Sequence, residues 1–148
     1  MLKLPPPIWT LIYVLAAAAL SYAAGWLRVT GLPQPWLGLL LVVLGGALAV
    51  SAAALFRREG TEIDPTSQTN RKLVTSGPYR FTRNPMYLSL TAIALGLAIW
   101  VGCWPMFLAP IATFLTANWV HIPFEEDKMR RQFGAAYDGY ARKVRRWL

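Results

Sequence analysis

Four apolar runs divide this chain, and its charge is confined to the stretches between and after them. That arrangement restricts the fold to a bundle of membrane helices. Residues 8–27 form the first run, almost free of charge and long enough to cross a bilayer as helix. The Gly31–Trp36 stretch, GLPQPW, reads as a turn from its glycine and two prolines, and residues 36–56 form the second run. Gly45-Gly46 within it suggests close helix packing. Residues 86–101 are apolar again, but as helix they reach only about 24 Å against a hydrocarbon core of about 30 Å. GCWP turns the chain round, and residues 105–120 return with Pro110 and Asn118 inside. The last two runs therefore read as a short or kinked helical hairpin, whose irregular backbone must be buried in protein or line a cavity. The expected fold is all-α: one polytopic domain, residues 1–148, with about four spans and an amphipathic tail helix over 123–145.

Charge sets the expected orientation. The 148 residues carry a net charge of +8; residues 57–84 hold six of the fifteen Lys/Arg and the last twenty-one residues hold seven. These clusters flank apolar helices, so anionic lipid is their expected partner and nucleic acid is not. Lys3, the 57–85 loop and the tail then share the cytoplasmic face of a multi-pass protein, with the plasma (inner) membrane as the expected location. The N-terminal run has no small-x-small cleavage site at its end and reads as a retained anchor. Cys103 is the single cysteine, so neither an internal disulfide nor a Cys/His metal site is expected. Neither a GxGxxG nor a P-loop pattern is present.

The loop before the third run ends in KLVTSGPYRFTRNPMYLSL, where Ser-Gly-Pro signals a turn and Pro85 suits the first turn of a helix. Tyr79, Phe81 and Tyr87 offer flat faces, the two tyrosines with polar tips, beside Arg80, Arg83 and the Asn84-Pro85 step. A belt of interfacial aromatics with snorkelling arginines accounts for such a composition. Its density favours more: a wall for a planar heterocycle bound beside a charged group.

The tail opens with Pro123 and three acids, as expected of a helix N-terminus. Glu126 has Arg130 four residues on, and Asp127 has Arg131, the spacing of exposed ion pairs. Glu125 instead shares a stripe with Met129 and Phe133, which turns it toward the protein, with Lys128 as a partial partner. A carboxylate so placed needs a cationic or hydrogen-bonding partner, and a ligand's ammonium supplies one. The stripe also suits a basic helix lying on lipid. The lone His121 sits where the last apolar run meets the tail and reads as a capping or interfacial residue, or a substrate contact.

RKLVTSGPYRFTRNPMYLSL and, after the hairpin, PFEEDKMRRQFGAAYDGYARKVRRW together resemble the isoprenylcysteine carboxyl methyltransferase family and its phospholipid methyltransferase relatives, over residues 62–148. The resemblance implies an integral membrane enzyme using S-adenosylmethionine, bound on the cytoplasmic side by the loop, the hairpin and the start of the tail. It implies cofactor contacts from Arg71, Lys72, Leu73, Val74, Tyr79, Asn84, Pro85, Met86, Tyr87 and Glu125. Asn84 stands where the family has a histidine, Ser89 where a glycine is common, and His121 where the isoprenylcysteine enzymes have an arginine associated with substrate. A neutral histidine is a poorer carboxylate partner than a guanidinium.

A methyltransferase acting on a lipophilic or lipidated acceptor is therefore the expected activity, with O-methylation ahead of phospholipid N-methylation. Rival readings are a non-enzymatic protein that binds anionic lipid and an NADPH-dependent reductase of the sterol type.

Overall fold

The computed structural model describes residues 4–29, 31–61 and 71–148, and all regular structure among them is helical. Helix α1 spans Pro6–Ala23, α2 Pro35–Glu59 and α3 Pro85–Val101. A 3₁₀ turn at Trp104–Phe107 leads into α4, Leu108–Thr116, and a π-helical turn at Ala117–His121 joins α4 to α5, Ile122–Phe133. Helix α6 is Ala135–Lys143. Prolines at or next to the first position open α1, α2 and α3, where a missing N–H costs no helical hydrogen bond.

Among the described residues, three helices are long and apolar enough to cross a membrane: Pro6–Ala23, Pro35–Glu59 and the continuous stretch Trp104–Phe133; α3 is shorter. Large apolar side chains such as Leu11, Leu15, Leu40, Val43 and Val50 point outward along α1 and α2, as lipid-facing surfaces do. The second run does not end at residue 56: α2 continues through Arg57, Arg58 and Glu59 and stops at Gly60, whose φ of 65° terminates it. The loop thus starts three residues later than its charge suggests, and residues 62–70 of it, like Lys3, lie outside the described residues.

Two expected boundaries are corrected. The fourth span does not stop at residue 120; the helix runs on through the π turn into α5. Pro123 cannot accept regular α geometry against the carbonyl four residues back, and the wider turn just before it relieves that clash without ending the helix. Nor is the tail one helix over 123–145: Gly134, at φ 49°, separates α5 from α6.

A buried cluster of Ala17, Ala98, Cys103, Met106 and Ala109 joins α1, α3 and α4, and glycine makes the α2–α3 crossing. A Cβ on Gly38 would stand 2.6 Å from the Gly96 carbonyl oxygen, and one on Gly96 would stand 2.7 Å from that of Gly38. Gly45 faces Ile93 and Ser89 in the same way, whereas Gly46 faces open space. Close packing through the Gly45-Gly46 pair therefore comes from Gly45 alone. On the other flank, α1 meets α4 through side chains: the Tyr13 hydroxyl and Thr116 Oγ1 are 2.8 Å apart.

Candidate functional site

The loop, the start of α3 and the tail converge at one end of the bundle. Gly77, at φ 56°, starts a 3₁₀ turn at Gly77–Arg80, and this turn buries Tyr79. The Tyr79 ring lies 5.3 Å from that of Phe56, and Val74, Ala52, Leu55 and Met86 complete the cluster. Burial, then the charge of Glu125, then Tyr140 push the Tyr79 hydroxyl well above its usual range. Its carbonyl accepts a 2.7 Å hydrogen bond from the Tyr140 hydroxyl, which anchors α6 to the loop.

Pro85 and Tyr87 are buried in the first turn of α3. The Tyr87 hydroxyl donates to Glu125 Oε1 at 2.5 Å, the length of a charge-assisted bond. The other face of Tyr87 stacks on His121, with ring centroids 5.9 Å apart and planes 18° from parallel. Glu125 is half-buried, in the first turn of α5. The structure thus brings Val74, Tyr79, Met86, Tyr87 and Glu125 to one end of the bundle, with His121 behind them and Leu73 half-buried next to Val74 in the chain.

The remaining residues of the expected contact set lie differently. Lys72 is exposed, and its ammonium pairs with Glu59 at 2.7 Å. Arg71 is exposed beside it. Asn84 is buried, but its amide Nδ2 donates to the Arg146 carbonyl at 2.9 Å. Its side chain therefore works as a tether for the last residues of the tail.

That tether is part of a wider closure which sequence reasoning missed. Glu126 is not an exposed partner of Arg130. It is 5% exposed, accepts from Arg146 at 2.7 Å and forms an ion pair with Arg83 at 3.2 Å, while Arg130 pairs with Asp138. The Arg83 N–H donates to the Arg145 carbonyl at 2.9 Å, and Thr82 Oγ1 to that of Arg146 at 3.1 Å. Trp147 then reaches back to the membrane helix: its Nε1–H donates to Asn118 Oδ1 at 3.0 Å, and its ring lies 4.7 Å from that of Phe114. It packs on the cluster of Tyr87, Ala117 and Ile122. The Asp127–Arg131 surface pair is present as expected.

Does this site suit a sulfonium cofactor? A half-buried carboxylate bonded to one tyrosine and within electrostatic reach of a second is a fitting environment for a cationic amino or sulfonium group. No cluster of His, Cys, Asp or Glu among the described residues is suited to a metal.

A helical membrane protein whose loop and tail clasp a buried Tyr–Glu pair is the class this geometry defines. Residues 33–136 match the family described as phospholipid methyltransferase. The chain belongs to this family of membrane methyltransferases, which includes the isoprenylcysteine carboxyl methyltransferases. It is 33% identical over 139 residues to protein-S-isoprenylcysteine O-methyltransferase B of Arabidopsis thaliana, an alignment that covers 86% of this chain and 67% of the relative. It is 32% identical over 146 residues to a probable protein-S-isoprenylcysteine O-methyltransferase of Oryza sativa, covering 89% of this chain and 73% of the relative.

Proposed function

We propose that this protein is an S-adenosylmethionine-dependent methyltransferase that modifies a lipophilic acceptor at the membrane surface, on oxygen in preference to nitrogen. The observation that carries the reading is the Tyr87–Glu125 hydrogen bond beside Tyr79. A negative group beside aromatic faces supports a cationic cofactor at this end of the bundle. The names of the Arabidopsis and Oryza relatives, both O-methyltransferases, support it.

In this reading Glu125 holds the cofactor's amino group, Tyr87 orients Glu125, and Tyr79, Leu73 and Val74 line the heterocycle. Bound there, S-adenosylmethionine supplies a methyl group on a positively charged sulfur, open to in-line displacement. The protein's own part is to align the acceptor and exclude water, which lowers a barrier by several kcal/mol on the order seen for positioning effects. Trp147, the Glu126 ion cluster and the Tyr140 tether hold the loop and tail closed over that end of the bundle. Arg71 and Lys72, exposed at the rim, favour the cytoplasmic face for this end.

Calorimetric binding of S-adenosylhomocysteine to purified protein tests the proposal, with Glu125→Ala alongside. Saturable binding lost in the variant supports it. Folded, monodisperse wild-type protein that binds no S-adenosylhomocysteine overturns it.

A further inference from the structure

Among the described residues, three buried side-chain polar atoms have no hydrogen-bond partner, Arg83 Nε, Thr113 Oγ1 and His121 Nε2, and the last two line one cleft. Thr113 and His121 are each only 4% exposed. Other buried hydroxyls on the membrane helices return to their own backbone, as Ser21 does to the Ala17 carbonyl at 2.9 Å and Ser89 to that of Met86 at 2.6 Å. Thr113 has the same option one turn back and does not take it. An unpaired polar group at this depth is costly unless something else meets it. The π turn at Ala117–His121 widens the helix where His121 is presented, a distortion that recurs at functional sites.

The cleft lies between α1 and α4, walled by Trp9, Tyr13, Leu90 and Thr116, with Tyr87 at its edge. None of its lining residues is Lys, Arg, Asp or Glu. Tyr87 therefore borders two environments: its hydroxyl meets Glu125 and its ring stacks on His121.

We propose that this cleft seats the polar end of the methyl acceptor, and that it selects an uncharged hydroxyl on an apolar chain over a carboxylate or an ammonium. The inference rests on the methyltransferase reading for the word acceptor, but the selectivity of the cleft does not. Thr113 and His121 offer two hydrogen bonds, and no residue lining the cleft carries a formal charge to compensate another. A neutral hydroxyl satisfies both atoms, whereas a charged end group would enter a low-dielectric site without a counter-ion.

The test uses the full chain in lipid nanodiscs at pH 9, where dodecanoate and dodecylammonium both carry charge. Apparent affinities for dodecanol, dodecanoate and dodecylammonium are read from the ligand-dependent rise in unfolding temperature. Wild type is compared with Thr113→Val and with His121→Phe, which keeps a ring against Tyr87. Comparing variants for each probe cancels its partitioning into lipid. Dodecanol affinity is expected to fall about fivefold in each variant, the effect of one neutral hydrogen bond, with the charged probes unaffected. An equal or larger loss for dodecanoate or dodecylammonium overturns the proposal, as does no loss for dodecanol. Without any probe, Thr113→Val should be as stable as wild type or more so. A lower unfolding temperature would mean the hydroxyl already has a partner, and that too overturns the proposal. S-adenosylhomocysteine binding in the same nanodiscs is scored separately: its absence in wild type removes the methyltransferase reading, while the probe selectivity still decides the cleft.

Discussion

Tyr87 and Glu125, thirty-eight residues apart, are joined by a 2.5 Å hydrogen bond between the first turn of α3 and the first turn of α5. The bond ties the end of the loop motif to the start of the tail motif. Neither motif forms the site alone.

Removing that bond should therefore weaken cofactor binding without unfolding the bundle. Tyr87→Phe is expected to reduce S-adenosylhomocysteine affinity about tenfold, since a hydrogen bond to a charged group contributes about 1.5–3 kcal/mol. Glu125→Gln, which keeps the shape and loses the charge, should cost at least as much. Calorimetric titration reads both, and unchanged affinity in both variants would remove the pair from the site.

The two neighbouring acids of α5 should differ sharply in their effect on stability. Glu126 is buried between Arg83 and Arg146, so Glu126→Ala leaves cations without their partner and is expected to cost about 3–5 kcal/mol. Asp127 and Arg131 are exposed, and Asp127→Ala should cost less than about 1 kcal/mol. Thermal unfolding of the two variants side by side makes the comparison. Equal losses would contradict the buried cluster.

Substituting glycines of α2 separates contact from composition. Gly38→Ala forces a methyl against the α3 backbone and should destabilise the bundle by about 1–3 kcal/mol. Gly46→Ala meets nothing within 4 Å and should be neutral or slightly stabilising, because alanine favours helix. Denaturation midpoints in one detergent would show a reversed order if the crossing lay elsewhere.

Alkaline pH should loosen the closure of the loop and tail. Burial is the first cause that raises the hydroxyls of Tyr79, Tyr137 and Tyr140 above their ordinary value. Because the unfolded chain ionises first, stability is full below a pH of about 10 and is lost as pH rises beyond it. Unfolding temperatures between pH 8 and 11.5 should stay level and then fall. Tyr79→Phe should flatten the fall, and an unchanged slope would count against a buried Tyr79.

The helical fold was legible because hydropathy alone separates lipid from water. The convergence of Val74, Tyr79, Tyr87 and Glu125 was legible through the paired motifs. Glu126 was misread because Arg130 stands at the favoured helical spacing. The pairing that prevails is long-range, to Arg83 and Arg146, which no local rule registers. Gly38 and Gly96 were missed because each is a single glycine in an apolar run, and only the crossing of two helices gives them a role. The continuous α4–α5 helix was hidden by Pro123, which reads as a start signal unless a π turn precedes it.

The Gly38–Gly96 crossing also bears on traffic. Where two backbones touch there is no side chain to swing aside, so the seam between α2 and α3 is closed to an acyl-sized molecule. The α1–α4 flank packs Ala17 and Ala109 into a buried cluster at one level, and at another it meets through groups that can rotate, Tyr13 against Thr116. One edge of the bundle is thus welded by backbone contact, while the edge beside Thr113 and His121 is held at Tyr13 and Thr116 by side chains alone.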